Sequence, residues 1–311
     1  MMNDNTVKPV HFVDQDRRLG WAMLSPAVIY IVGFIGVPFV LAILLSFSNA
    51  TVGNPRITDL VGFANYVSLL HQPIFMTALK NSILITFLTL GILLVLATIL
   101  SELLAIEFRY KKIFQTLLIL PWAMPVSLAA IAWLWLLDSQ FSPIDWMLTQ
   151  IGILGPGGLL GPVRHLYYLG RDMLAIASVV TVNVWRLLPL ATVIVLAGRL
   201  SIPQDRFDQA KIDGAGFFRI LFRITIPALM PVLTVAMLFT ALVVFGDMTT
   251  VALLTRGGPG HASQILPYWA FLQGIQGGDL AGGAAVALFM LPILLVVAIL
   301  ALRIAYRSQE A

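Results

Sequence analysis

The 311-residue sequence contains no cysteine, so the chain forms no disulfide bond, no thiolate metal site and no thiol redox centre. It also has few charges: Asp, Glu, Lys and Arg fill 11% of the positions, whereas hydrophobic residues fill 59%. In a typical soluble domain about a quarter of the residues are charged. This chain has too few charges to cover its surface in water, and its composition predicts that lipid covers much of it.

The sequence features of an enzyme are also missing. The phosphate-binding motif G-x-x-x-x-G-K-[ST] does not occur, because the glycine-rich segment 155–161 lacks the lysine. No Ser-His-Asp order or paired carboxylate site indicates catalysis. The four histidines lie far apart, without the spacing of metal ligands: His11, His71, His165 and His261. We therefore predict a chain that is not an enzyme and that holds no metal or cofactor itself.

Six apolar stretches are long enough to cross a bilayer, which requires about 20 residues of helix. They are 24–47, 83–104, 114–137, 174–196, 228–254 and 284–304. Arg17 and Arg18 precede the first stretch, as in a signal peptide, but its apolar run exceeds the roughly 7–15 residues of that class. We predict an all-α membrane protein with six transmembrane helices and an uncleaved first helix.

The net charge of +4 is better explained by membrane topology than by nucleic-acid binding, because the basic residues form short clusters between apolar runs. A cytoplasmic N-terminus places thirteen of the nineteen Lys and Arg residues in inner segments, five in outer loops and Arg186 within a span. This asymmetry predicts that both termini are cytoplasmic. The outer loops are then 48–81, 255–283 and 138–173, the last with a short interfacial helix at 143–150. No loop is long enough to fold separately, so residues 1–311 form one transmembrane domain.

The longest inner loop, 199–226, has helix signals of its own. Residues 204–212 are good helix formers after Pro203, and Asp213-Gly214 marks a turn. A second helix is predicted from an apolar stripe at Phe218, Leu221, Phe222 and Thr225. The loop is either an amphipathic connector on the membrane surface or a rigid knob that enters a groove on a partner protein.

This inner loop resembles the cytoplasmic signature of ABC-importer permeases, written E-A-A, three residues, G, nine residues, I-x-L-P. The matching positions are Asp208-Gln209-Ala210, Gly214, Ile224 and Pro227, with Asp208-Gln209 in place of Glu-Ala and Ile226 in place of Leu. In that family the loop, here 201–227, docks on the ATP-hydrolysing subunit. The resemblance assigns that contact to Asp208, Ala210, Asp213, Gly214 and Ala215.

Further segments, in order along the chain, are similar to landmarks of carbohydrate permeases of the maltose and glycerol-phosphate type. They are Leu24-Ser25-Pro26-Ala27, Val61-Gly62-Phe63-Ala64-Asn65-Tyr66, Leu79-Lys80-Asn81-Ser82, Trp185 with Pro189, Ile202-Pro203, and Leu254-Thr255-Arg256-Gly257-Gly258-Pro259. The resemblance implies a type I ABC-importer permease in a bacterial inner membrane. It also implies separate ATPase subunits that bind ATP and Mg, a second homologous permease, an extracytoplasmic solute-binding protein and a sugar substrate.

Charges inside predicted spans mark a candidate pathway. Arg186 and Asp247 either contact the substrate or pair with each other, and Glu102 is close enough to a helix end to reach the cytoplasmic headgroups. By resemblance to maltose-type permeases, the sugar-contacting positions are Asn183, Leu187 and Leu190 in the fourth span and Thr240, Val244 and Asp247 in the fifth. The last three are spaced i, i+4, i+7 and are predicted to share one helix face.

Three of these pathway positions are apolar, which argues against a site for maltose itself: Leu187, Leu190 and Val244. Four tryptophans near span ends are interpreted as interfacial anchors: Trp122, Trp133, Trp135 and Trp185. Two alternatives remain open for the chain. One is a secondary transporter or channel that works without ATP, although we find no inverted repeat or ion relay. The other is an ABC permease for a non-sugar solute such as glycerol phosphate or a polyol.

Overall fold

The computed structural model describes the backbone of residues 12–310 and the side chains of residues 19–307. All its regular elements within that part are helical, apart from one isolated antiparallel bridge between Ser48 and Leu60. The all-α prediction is therefore confirmed for the described residues. Some residues used in the topology and metal predictions lie outside this described part: Lys8 and His11 entirely, and Arg17 and Arg18 with their side chains.

We number the helices in chain order. They are α1 Phe12–Ile31, α2 Val37–Ser46, α3 Ala64–Leu70, α4 Pro73–Ala105, α5 Lys111–Ala123, α6 Val126–Leu136, α7 Pro143–Gln150, α8 Asp172–Ser201, α9 Gln204–Ile212, α10 Phe217–Ile220, α11 Ile226–Gly246, α12 Met248–Leu254, α13 Leu266–Phe271 and α14 Leu280–Glu310. Single π-helical turns join α1 to α2 and α10 to α11, and a third extends α13. Helix α7 coincides with the predicted interfacial helix.

Within residues 12–310, five helices are long and apolar enough to cross a membrane: Leu19–Ser46, Pro73–Ala105, Asp172–Ser201, Phe217–Gly246 and Leu280–Arg307. The third predicted span is not one helix, because α5 and α6 meet at an angle of 99°. Met124, at the bend, has an extended backbone with ψ of 132°. Pro125 explains this conformation, since a proline disfavours helical geometry in the residue before it. The count is five, or six if the bent pair crosses as one span.

The fifth predicted span, 228–254, also differs from the structure. Its helix begins earlier, at Phe217, and ends at Gly246. Asp247 then takes an extended conformation, with φ of −82° and ψ of 97°, and its side chain caps the separate helix α12. An apolar run that looks continuous in sequence is therefore broken at a single charged residue.

Helix α8 forms the centre of the bundle. It packs along α4 and α11, and its buried residues include Val179, Val182 and Leu187. Helix α14 packs against α11 and α2 on the opposite side of α11. The first span is the exception, because none of the residues from Leu19 to Gly36 is buried. This apolar half-span requires lipid or another protein to cover it.

The start of α14 makes a close backbone contact with the turn after α13. A Cβ atom built on Gly274, in the turn after α13, would lie 3.2 Å from the Cα of Gly283, and one built on Gly283 would collide with the backbone of Gly274. Small residues at such crossings let helices in membranes approach closely. Here they fix α14 against the end of α13.

We predict that Gly283→Ala lowers the thermal stability of the purified protein, because overpacking a tight contact costs about 1–3 kcal/mol. Gly91→Ala is the matched control, since Gly91 is also helical and a Cβ there meets no atom within 4 Å. Thermal melts in detergent compare the two. Equal melting temperatures for both variants would contradict the role given to this contact.

Candidate functional site

The two charges predicted within spans form an ion pair in the structure. The Nη2 of Arg186 on α8 donates to the Oδ2 of Asp247 at 2.9 Å, and the two side chains are 11% and 9% exposed. Asp247 also accepts from the backbone N–H of Thr249 at 2.9 Å and from the Thr250 hydroxyl at 2.6 Å. The carboxylate therefore links α8 to the break between α11 and α12.

Asn183 lies one turn before Arg186, and its Oδ1 accepts from the same guanidinium at 3.4 Å. Asn183 and Asp247 line a small cavity together with Val244, Ser82 and Thr86. The Thr86 hydroxyl and the Nε of Arg186 are buried without a partner among the described residues. Buried polar atoms are nearly always hydrogen-bonded. The cavity measures about 10 Å³, which is room for about one water molecule, so in this conformation it is closed to a larger guest.

The other predicted pathway residues do not join this cavity. Thr240 is buried in α11, and its hydroxyl donates to the Ala236 carbonyl of its own helix at 2.8 Å. Leu187 is only 1% exposed and belongs to the core, whereas Leu190 is half-buried. Of the three residues predicted to share one helix face, Val244 and Asp247 line the cavity and Thr240 does not, and Asp247 is the residue that caps the end of α11.

Two polar residues of the cavity, Ser82 and Thr86 on α4, are not among the predicted pathway residues. The Ser82 hydroxyl accepts from the backbone N–H of Leu266 at 2.8 Å, which attaches α4 to the start of α13. The available signal was the i, i+4 spacing of two hydroxyl residues in an otherwise apolar span, which places them on one helix face.

The predicted tryptophan anchors divide into two groups. Trp122 and Trp135 are 40% and 79% exposed, as an interfacial position requires. Trp133 and Trp185 are half-buried and pack edge to face, with 5.7 Å between their ring centroids. This pair joins α6 to α8, so both residues contribute to packing within the protein, and the anchor role of all four tryptophans stays a prediction.

The segment 201–227, which carries the permease-like signature, forms a compact projection at the C-terminal end of α8. Helix α9 ends at Ile212 with Asp213 as its C-cap, and Gly214 follows with φ of +75°, a conformation that L-residues with side chains rarely adopt. The N–H of Ala215 then donates to the Ala210 carbonyl at 2.9 Å and closes the turn. Asp208, Asp213 and Gly214 are exposed, Ala215 is half-buried and Ala210 is buried against the body.

The second helix predicted in this loop is the beginning of the fifth span, because Phe217–Gly246 runs as one helix through a π turn. Phe217, Phe218 and Phe222 are 62%, 72% and 63% exposed on it. The prediction that Glu102 reaches the headgroups is also wrong. Its Oε1 accepts from the Nε of Arg199 at 2.8 Å, and both side chains are 15% exposed.

The loop 138–173 is organised around a buried carboxylate. Asp145 on α7 is 2% exposed, and its Oδ2 accepts from the backbone N–H of Leu166 at 3.2 Å. Burial and this carboxylate raise the pKa of Tyr168 above its ordinary value. No group of three or more His, Asp and Glu side chains converges as a metal site within the described residues.

Comparison with known proteins identifies the family. A family model described as "Binding-protein-dependent transport system inner membrane component" matches residues 169–308, which include α8, the α9 projection and both later spans. The sulfoquinovosyl glycerol transport system permease protein SmoG of Agrobacterium fabrum is 27% identical over 289 residues, covering 93% of this chain and 91% of that protein. A probable ABC transporter permease protein of Pyrococcus horikoshii is 30% identical over 292 residues, and the match covers 92% of this chain and 95% of that protein.

A solved structure has the same fold. It is a bacterial alginate ABC transporter in complex with an alginate pentasaccharide-bound periplasmic protein, and one of its chains superposes with a TM-score of 0.79 at 20% sequence identity. The match covers 96% of this chain and 98% of that chain. From the relatives and the family model together, this multi-pass membrane protein belongs to the permease subunits of ABC transporters, the inner membrane components of binding-protein-dependent transport systems.

Proposed function

We propose that this permease forms half of the translocation pathway of an ATP-driven sugar importer in a bacterial inner membrane. The observation that carries the proposal is the buried polar cluster of Asn183, Arg186 and Asp247 within apolar helices. Sugar hydroxyls donate and accept hydrogen bonds, which suits the unpartnered Thr86 hydroxyl at the cavity. The Nε of Arg186 is also unpartnered, and the guanidinium bonds to two residues of the cavity, Asn183 and Asp247. Sulfoquinovosyl glycerol in the name of a relative and alginate in the solved complex support a carbohydrate substrate.

The proposed orientation has six spans, with α5 and α6 crossing as a bent pair, and both termini in the cytoplasm. The end of the bundle that carries α9 then faces the cytoplasm, as the excess of Lys and Arg on that side requires. The exposed residues Asp208, Asp213 and Gly214 form the docking surface for a separate ATPase subunit. ATP and Mg are bound by that subunit, because the sequence of this chain contains no phosphate-binding motif.

Two further partners belong to the proposal. A single chain with one set of spans supplies one half of a pore, and the unburied apolar stretch from Leu19 to Gly36 is a surface that a second homologous permease would cover. On the outer side, a solute-binding protein delivers the sugar to the loops around α7. The periplasmic protein in the solved alginate complex supports this partner.

The proposed mechanism is alternating access. Closure of the paired ATPase subunits moves α9, and the adjoining ends of α8 and α11 move with it. The other end of α11 is capped by Asp247, and the ion pair between Asp247 and Arg186 joins this end to α8. At about 10 Å³ the cavity is closed to a sugar in this structure, so the proposed mechanism requires a relative movement of these two helices to open it.

Coexpression with candidate ATPase subunits tests this function. We expect the complex to copurify and its ATPase rate to rise severalfold when a sugar-loaded binding protein is added. A screen in which only polyols or glycerol phosphate stimulate hydrolysis would contradict the sugar assignment. A permease that copurifies with no ATPase subunit and supports uptake after ATP depletion would instead be a secondary transporter.

A further inference from the structure

Helix α9 is attached to the membrane domain through very few residues. Only Phe207 and Ala210 are buried among its nine residues, and Phe207 is 3% exposed. The chain between α8 and α9 consists of Ile202 and Pro203 alone. Apart from the chain connections to α8 and α10, this small buried face is where a force on the exposed side of α9 reaches the membrane domain.

Phe207 packs directly against a charged group of the membrane domain. The guanidinium carbon of Arg199, in the last turn of α8, lies 3.9 Å from the centroid of the Phe207 ring. At this distance the cation is strongly attracted to the ring face, and the attraction is larger where water is excluded. Arg199 is therefore a contact between α8 and α9 as well as a residue of α8.

The same guanidinium is fixed on its other side by α4. Its Nε donates to the Glu102 Oε1 at 2.8 Å, and both side chains are 15% exposed. The pair lines an apolar groove of about 1140 Å³ together with Phe207. Apolar surroundings strengthen the attraction between the charges and make it costly to leave either charge unpaired.

Helix α4 connects this contact to the candidate sugar site. It is a 33-residue helix with no proline after its first turn. About 24 Å of helix, at about 1.5 Å per residue, separates Glu102 from Thr86, whose hydroxyl faces the polar cavity. A displacement of Glu102 is thereby carried along a continuous helix to the pathway.

We propose that Glu102, Arg199 and Phe207 form a mechanical link that couples α9 to α4, so that movement imposed by the ATPase subunit reaches the sugar cavity through α4 as well as through α8 and α11. The proposal rests on the proposed function and deepens it. The three are positioning residues, since none lies at the sugar cavity or on the exposed docking surface. Their loss should change the amount of sugar moved per ATP hydrolysed more than it changes assembly.

The first test uses Glu102→Gln and Phe207→Leu in the reconstituted complex, with sugar uptake and ATP hydrolysis measured in the same vesicles. We expect the ratio of uptake to hydrolysis to fall about tenfold, as for the loss of one charge-assisted hydrogen bond, while the copurified amount of ATPase subunit stays the same. Phe207→Tyr retains the ring face and should retain the ratio. The control is Glu107→Gln, because Glu107 belongs to a surface pair with Lys111 and its side chain is 88% exposed.

The second test exchanges the charges in the double variant Glu102→Arg/Arg199→Glu. This variant keeps an ion pair between α4 and α8 but places a carboxylate against the Phe207 ring, so we expect it to assemble and remain uncoupled. Full coupling in the exchanged variant would overturn the role of Phe207. If Glu102→Gln does not assemble, the Phe207 variants provide the test. The link is overturned if Phe207→Leu and Phe207→Tyr have the same ratio of sugar uptake to ATP hydrolysis. If the unmodified complex shows no ATP-driven sugar uptake, the proposed function is contradicted. If it is active and Glu102→Gln has the same ratio of uptake to hydrolysis, only the link is contradicted.

Discussion

Asp247→Ala is expected to reduce sugar uptake by at least a hundredfold. The substitution leaves the Arg186 guanidinium, 11% exposed, without its carboxylate and removes the cap of α12. Breaking a buried ion pair by removing one partner costs about 3–5 kcal/mol, and loss of a helix cap adds about 1 kcal/mol. Uptake into vesicles, normalised to the amount of permease in the membrane, measures the effect.

A double variant separates the pathway role of this pair from a purely structural one. Arg186→Met/Asp247→Asn removes both charges and keeps a side-chain oxygen that caps α12. Replacing both members of a buried pair is often neutral for stability, so we expect a melting temperature close to that of the unmodified protein without recovery of uptake. Recovery of both stability and uptake would show that the pair only holds α8 to the end of α11.

Gly214→Val is expected to lower ATP-driven uptake by about ten- to a hundredfold while leaving assembly in the membrane intact. The backbone of Gly214 has φ of +75°, and a Cβ there meets no atom within 4 Å. The cost is therefore conformational: the left-handed region costs an ordinary L-residue about 1–2 kcal/mol, and a β-branched residue more. The turn after α9 would open and displace the exposed docking residues.

Gly216→Val is the matched control for this variant. Gly216 has an ordinary extended backbone with φ of −74°, and a Cβ there also meets no atom within 4 Å. The two variants add the same side chain two residues apart and differ in backbone conformation. Uptake that is unchanged in Gly214→Val, or reduced equally in Gly216→Val, would contradict the coupling role of this turn.

Local sequence signals predicted the elements that depend on neighbouring residues. Helix α9 has the bounds expected from Pro203 and from the turn at Asp213-Gly214, because these residues favour a helix start and stop through their own backbone preferences. Helix α7 was predicted for the same kind of reason. The long apolar stretches predict six spans, and five of them correspond to single helices long and apolar enough to cross a membrane, since lipid burial depends mainly on composition.

The breaks within apolar runs were not predicted. Hydropathy is continuous through Asp247 and through Met124-Pro125, although a proline at 125 gave a local reason for the bend between α5 and α6. At Asp247 the reason is tertiary: the carboxylate is held by Arg186 from another helix, and the chain leaves the helix to place it there. Pairing by tertiary structure also explains why Glu102 does not reach the headgroups, because Arg199 is 97 positions away in sequence.

Most of the candidate site depends on such distant contacts. The sequence singled out Asn183, Arg186 and Asp247 because polar residues are rare within its spans. It did not indicate that Thr86 on α4 shares their cavity, or that Thr240 bonds to its own helix. These placements follow from how α4, α8 and α11 pack, which periodicity within one helix does not specify.

The central claim is that this permease works in a complex that uses ATP to import sugar. The most direct measurement is uptake of radiolabelled sugar into proteoliposomes that contain the complete complex and the loaded binding protein, with ATP supplied only on the side of α9. We predict concentrative uptake that stops when ATP is replaced by a non-hydrolysable analogue and that is retained after ion gradients are dissipated. Uptake that continues without ATP hydrolysis and collapses with an ion gradient would contradict the account.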